Sequence, residues 1–203
     1  MSRRERRFLI LHGAGNHRPR EHWQHWLAEQ LRRRQEVVLY PQLPDPDSPR
    51  LEAWLGLVRA ELAQLGAGER IVVCHSLSVL VWLHHAHDPD RGLRVDRVLL
   101  VSPPSPEILW SEVARFAPPA DLTPGCLRAA ADRTRIIHSD NDPYCPQGAD
   151  RLYAQPLRIQ ADRLLGGGHL SVDDGYGPWP GILDWCLHST APVHGGVEPR
   201  AAR

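Results

Sequence analysis

Arg70-Ile71-Val72-Val73-Cys74-His75-Ser76-Leu77-Ser78-Val79-Leu80 decides how the chain is read. A β-branched apolar run stops at Ser76, and an apolar stretch of helical character follows at once. A strand that turns this sharply into a helix lifts one side chain above the sheet edge, the grammar of a nucleophile elbow. Strand and helix backbones close on each other at such a turn, so the residues two before and two after the serine must be small. Glycine is usual at both places; Cys74 and Ser78 stand there instead. Ser78 is read as the small flank of the elbow, not as a second nucleophile. Taken alone, the stretch also fits a buried structural serine at a strand end.

Residues elsewhere complete the pattern. Leu164-Leu165-Gly166-Gly167-Gly168-His169 places a histidine after a glycine run that can fold back over a sheet. Thr134-Arg135-Ile136-Ile137-His138-Ser139-Asp140-Asn141-Asp142-Pro143 is a strand candidate that ends in acidic residues, and Phe8-Leu9-Ile10-Leu11-His12-Gly13-Ala14-Gly15-Asn16 is a strand followed by a glycine-rich turn. The chain order is Ser, Asp, His, that of α/β-hydrolases. Each signal falls at the C-terminal end of a strand, where an open parallel sheet places its ligand site.

Ser76 is therefore the candidate nucleophile, His169 the general base and Asp142 the orienting carboxylate. Backbone N–H groups of Ala14 and Leu77 are the candidate oxyanion hole. Asp140, two residues before Asp142, is a rival for the carboxylate, and His138 is read as packing in the sheet. Trp110 and Tyr144, on loops beside the site, are candidates for substrate contact.

Strands are expected at Arg7–Leu11, Glu36–Tyr40, Arg70–Cys74, Val95–Ser102, Thr134–Ser139 and Asp162–Leu165. Helices are expected at His22–Arg33, Leu51–Leu65, Leu77–His87, Gln147–Tyr153 and Trp179–His188. This alternation means βαβ units and a parallel sheet covered on both faces, and the Val/Ile/Leu-rich strands agree with it. Pro41 to Pro49 cannot be regular structure. The long connection from Ser102 to Arg133 is expected to form a small lid or acyl-pocket wall, against an ordinary crossover with one amphipathic helix. One domain over residues 1–190 and a disordered tail over 191–203 are expected.

Lys plus Arg equals Asp plus Glu at 24 each, so nothing in the charge attracts nucleic acid or acidic lipid. Arg3 to Arg7 precedes only four continuously apolar residues, fewer than the roughly 7–15 of a signal h-region, and no run approaches the ~20 of a membrane span. A soluble cytoplasmic protein acting on a small molecule, with no nucleic acid, no membrane and no cofactor, is expected. The four cysteines (Cys74, Cys126, Cys145, Cys186) form no metal framework and are read as isolated buried thiols, Cys145 being the one exposed to oxidation. His22 and His25, and His84, His85 and His87, are read as solvated or helix-terminal and not as metal ligands. Trp23, Trp26, Trp54 and Trp185 are read as mostly core.

Several of these stretches carry a family likeness. His12-Gly13-Ala14-Gly15-Asn16, His22-Trp23-Gln24-His25-Trp26-Leu27, the elbow around Ser76, Asn141-Asp142-Pro143-Tyr144, and Gly168-His169 followed by Gly175-Tyr176-Gly177-Pro178-Trp179-Pro180 resemble the small serine hydrolases related to retinoblastoma-binding protein 9 and the bacterial YdeN proteins. The likeness spans roughly residues 7 to 188. It implies a minimal α/β-hydrolase without a large cap, with about six parallel strands in the order 2-1-3-4-5-6, and serine-dependent ester or amide hydrolysis. It favours Asp142 over Asp140 through the Asp-Pro step. The Leu-x-Cys-x-Glu motif that would bind a pocket protein is absent, so that partner is not implied. A catalytically silent scaffold and an acyltransferase remain as other classes; a dehalogenase is disfavoured because the elbow carries serine and not aspartate.

Overall fold

The computed structural model describes residues 5–108, 110–188, 190, 191 and 193. The start of the basic run before Glu5, Leu109 in the long connection and the tail beyond Val193 lie outside the described residues. Six strands, β1 (Arg6–Leu11), β2 (Val37–Leu39), β3 (Glu69–His75), β4 (Val95–Val101), β5 (Ala131–Ser139) and β6 (Gln160–Leu164), form one parallel sheet in the order β2-β1-β3-β4-β5-β6. This is the expected order. The helices are α1 (Trp23–Arg33), α2 (Leu51–Gln64), α3 (Leu77–His87), α4 (Pro124–Ala130), α5 (Gln155–Leu157, preceded by a π-helical turn at Asp150–Ala154) and α6 (Pro180–Leu187).

Alternation along each strand divides the core. Leu9, Leu11, Val72, Cys74, Val98, Leu100 and Ile136 point to one face, where Trp54, Val58, Leu80 and Trp82 of α2 and α3 cover them. Phe8, Ile10, Ile71, Val73, Leu99, Val101 and Ile137 point to the other, under Trp23, Leu27 and Leu31 of α1 and Ile182 and Trp185 of α6. A sheet buried on both faces has no polar side to spare, hence the apolar strands. A polar bolt ties α6 to the sheet. Buried Arg97 of β4 donates to Glu69 Oε1 at 2.8 Å and to the Trp185 and Cys186 carbonyls at 2.8 and 3.0 Å, closing the end of α6 onto the sheet. After α6 the chain stays attached: Trp179 Nε1 donates to the Val193 carbonyl at 3.2 Å, and Val193 is buried.

The connection after β4 passes the cleft and then carries a crossover helix. Pro104, Ile108 and Trp110 face the cleft above the strands. Val113 and Phe116 plug the core, and α4, which begins at Pro124 behind a Thr123 cap, packs along the sheet as a crossover helix. Three histidines are helix-terminal, one of the two expected placements, but are not solvated. His85 is fully buried on the inward side of α3, its ring 5.0 Å from Trp82, and His22 is buried too. His84 is half-buried and hydrogen-bonded to the Ala117 carbonyl at 3.0 Å. α3 lies against the sheet, so His84 and His85 face neighbouring chain, while His87 stays partly exposed. Cys145 is buried as well, which removes its expected exposure. Burial, with the Asp142 charge beside it, pushes its thiol up to about 12.

Candidate active site

Ser76 follows β3 and caps α3 with φ 56° and ψ −126°. A non-glycine residue in this region is strained, and such strain persists only where the surroundings hold it. Here they do. Ser78 Oγ accepts from the His75 N–H at 3.0 Å and lies 2.9 Å from the carbonyls of Leu11 and His75, stitching the turn together. Serine in place of glycine at this flank thus contributes bonds without distorting the elbow. Ser78→Ala removes the hydroxyl partner of the buried His75 N–H, and we expect it to lower unfolding stability by about 1–3 kcal/mol in urea. An unchanged midpoint would contradict this.

A serine at a helix N-cap ordinarily bonds the first turn. Ser76 makes no such bond; its hydroxyl lies 2.9 Å from His169 Nε2. The other ring nitrogen, Nδ1, lies 2.9 Å from both carboxylate oxygens of Asp142. Three side chains from three loops therefore form one hydrogen-bonded line. Asp142 is almost wholly buried and also accepts from the Tyr144 N–H at 2.9 Å. Asp140, the rival, is exposed and accepts from the Gly166 N–H at 2.8 Å, away from the imidazole.

Several residues to which the sequence assigns no part in the site position this line. Asp174 Oδ2 accepts from the N–H of His169 and from both the N–H and hydroxyl of Ser171. Gly168, at φ 59°, leaves room for that carboxylate, since a Cβ there would stand 2.0 Å from Asp174 Oδ1. Ser139 Oγ and Asn141 Oδ1 accept the Gly167 and Gly168 N–H groups at 2.8 and 2.7 Å. Buried His75 donates through Nε2 to the His169 carbonyl at 3.1 Å, its ring 5.2 Å from that of His169. In the His-Trp-Gln stretch, Trp23 Nε1 holds the Leu170 carbonyl at 2.9 Å and Gln24 Nε2 the Leu11 carbonyl at 2.8 Å. No spacing rule finds these residues, because each acts on the backbone of a distant loop.

Ala14 follows β1 and lines the same cleft as Ser76, over the switch between β1 and β3. Gly13 makes close approach to Ser76 possible; a Cβ there would sit 2.7 Å from Ser76 Cβ. Among the described residues, neither the Ala14 nor the Leu77 N–H has an acceptor, and both residues line the cleft. That cleft holds about 900 Å³. Trp110 and Tyr144 are half exposed on its wall, the Tyr144 ring 4.5 Å from that of His169.

Buried histidines surround the site. Burial pushes His12 down to about 4, and burial together with His12 and His169 pushes His22 down to about 3, from the ordinary 6.5. Unfolding restores the ordinary value, so below pH 6.5 the unfolded chain binds protons that the folded chain refuses. Stability is complete above 6.5 and is lost as pH falls toward 4. At about 1.4 kcal/mol per pH unit, His12 alone accounts for up to about 3 kcal/mol by pH 4. We expect Tm to fall steadily over this window; a flat Tm between pH 7 and 4.5 would contradict the assignment. Among the described residues, no group of His, Cys, Asp and Glu is placed to hold a metal, and no helix is long and apolar enough to cross a membrane.

A six-stranded parallel sheet in this order, with loops converging over its β1/β3 switch, defines the α/β-hydrolase fold. Residues 8–187 match the serine hydrolase family, and the chain belongs to that family. Its fold is similar to that of the YdeN gene product from B. subtilis (TM-score 0.74, 22% identity, 90% of this chain and 97% of that one). A YdeN-like hydrolase from Pectobacterium atrosepticum is similar too (0.68, 22%, 91% of each chain), as is Est1E from Butyrivibrio proteoclasticus (0.60, 17%, 82% of this chain and 80% of that one). No curated protein matches the chain in sequence.

Proposed function

We propose that the protein cleaves a small ester, thioester or amide through an acyl-enzyme on Ser76, in the cytoplasm and without cofactor or metal. As Ser76 Oγ attacks the scissile carbonyl carbon, its proton passes to His169 Nε2. Asp142 fixes the ring with its other proton on Nδ1 and stabilises the imidazolium. The carbonyl oxygen, now negative, takes hydrogen bonds from the N–H groups of Ala14 and Leu77, each donor worth about 2.7–4 kcal/mol in the transition state. His169 then protonates the leaving group as the carbon–heteroatom bond breaks. Water attacks the acyl-enzyme with His169 again as base, releasing the acid and restoring the Ser76 hydroxyl.

The observation that carries this proposal is the unbroken line of 2.9 Å contacts from Asp142 through His169 to Ser76. The cleft carries Asp47, Asp173 and Asp174 and no Lys or Arg among the described residues, which disfavours an anionic acyl group, and an uncharged one fits against Trp110 and Tyr144. Labelling with a fluorophosphonate and hydrolysis of p-nitrophenyl esters of graded acyl length test it together. Labelling at Ser76 with turnover of short esters is expected. An unlabelled protein with background hydrolysis would favour a scaffold, and transfer to an added alcohol in preference to water would favour an acyltransferase.

A further inference from the structure

His22 caps α1, and its Nδ1 accepts from the Gln24 N–H at 3.1 Å. A ring nitrogen that accepts carries no proton, so the proton of the neutral imidazole is on Nε2. The ring is 3% exposed, wedged 5.4 Å from the Trp23 ring and 5.3 Å from that of His75, the residue before Ser76. Yet it lines the cleft. Its Nε2 has no protein partner among the described residues and is not among the buried atoms sealed from solvent. Packing therefore leaves one N–H of fixed direction turned into the cleft.

We propose, on the basis of the serine hydrolase function above, that His22 is a substrate-recognition residue whose Nε2–H donates to an uncharged oxygen of the substrate other than the scissile carbonyl. The preferred substrates are thus esters, thioesters or amides with an ether, hydroxyl or carbonyl oxygen beside the scissile bond. An all-carbon chain in the same place would cover the N–H without pairing it, which lowers kcat/KM by about tenfold or more. The ring remains neutral at working pH, since burial holds its pKa near 3, so it selects an acceptor by direction and not by charge.

Two variants separate the cleft donor from the helix cap. His22→Asn keeps a short capping acceptor and loses the Nε2–H, whereas His22→Gln keeps an N–H near the Nε2 position and loses the cap. The readout is the ratio of kcat/KM for an oxygenated ester to that for its all-carbon isostere. p-Nitrophenyl methoxyacetate against p-nitrophenyl butyrate reports oxygen on the acyl side; 2-methoxyethyl butyrate against butyl butyrate reports it on the alcohol side. In one of the two pairs, His22→Asn is expected to lower the ratio by about tenfold or more, and His22→Gln to restore it. Nitrogen-15 histidine spectra of the wild type are expected to show His22 with its proton on Nε2 from pH 5 to 8. Ratios unchanged by His22→Asn, a ratio that His22→Gln fails to restore, or a proton on Nδ1 would overturn the proposal. If the wild type takes no fluorophosphonate at Ser76, the hydrolase function fails first and the role of His22 falls with it.

Discussion

Ser76→Ala is expected to abolish fluorophosphonate labelling and to lower ester turnover by roughly 10⁴-fold or more, with His169→Ala about as damaging. The equality is the informative part. A nucleophile and its base act as one unit, so removing either ends covalent catalysis and leaves the oxyanion donors and the cleft to supply what remains. Replacing Ser76 by alanine does not disturb the hydroxyl of Ser78, which holds the turn through the His75 N–H. Both variants should therefore keep the wild-type circular dichroism spectrum. Labelling at another serine, or turnover within tenfold of wild type for Ser76→Ala, would defeat the proposed mechanism.

Asp142→Asn should cost about as much, on the order of 10⁴-fold in turnover, while preserving the shape of the site. The carboxylate accepts from His169 Nδ1 and so leaves the Nε2 lone pair free for the Ser76 proton. An amide that donates to Nδ1 instead forces the ring proton onto Nε2, where it points at the serine and blocks transfer. Asp140→Asn is the control. Among the described residues its carboxylate receives only the Gly166 N–H, at an exposed position, and a change there belongs with ordinary surface substitutions of within about 0.5 kcal/mol. Equal losses from the two variants would mean that the wrong aspartate has been assigned.

Much of the architecture was legible because burial leaves a local mark. The strands are apolar runs since the sheet is covered on both faces, and Leu77–His87 is a helix with the bounds expected for it. Arg7–Leu11 and Thr134–Ser139 were found one and three residues short at their starts, for Arg6 and Ala131 to Arg133 join the ladder through pairing with neighbours and not through hydropathy. The Pro-rich connection admits a crossover helix, but the bounds of α4 are not legible in it. Its seven residues carry too little periodicity, and the cap at Thr123 and Pro124 shows only once the helix is seen. Gln147–Tyr153 was displaced toward the N-terminus, because the turns at Asp150–Ala154 and Gln155–Leu157 follow the irregular π-helical path.

The sequence by itself determined the βαβ order, the small residues around Ser76 and the succession of serine, aspartate and histidine at strand ends. These are local matters of side-chain size, hydropathy and chain order, and they survive without coordinates. Only the tertiary structure decided that Asp142 and not Asp140 meets the imidazole, that His22 opens onto the cleft while His85 is sealed, and that Asp174 and His75 hold the His169 loop. Each of those depends on which way a side chain points between elements far apart in the chain, and packing alone sets that direction.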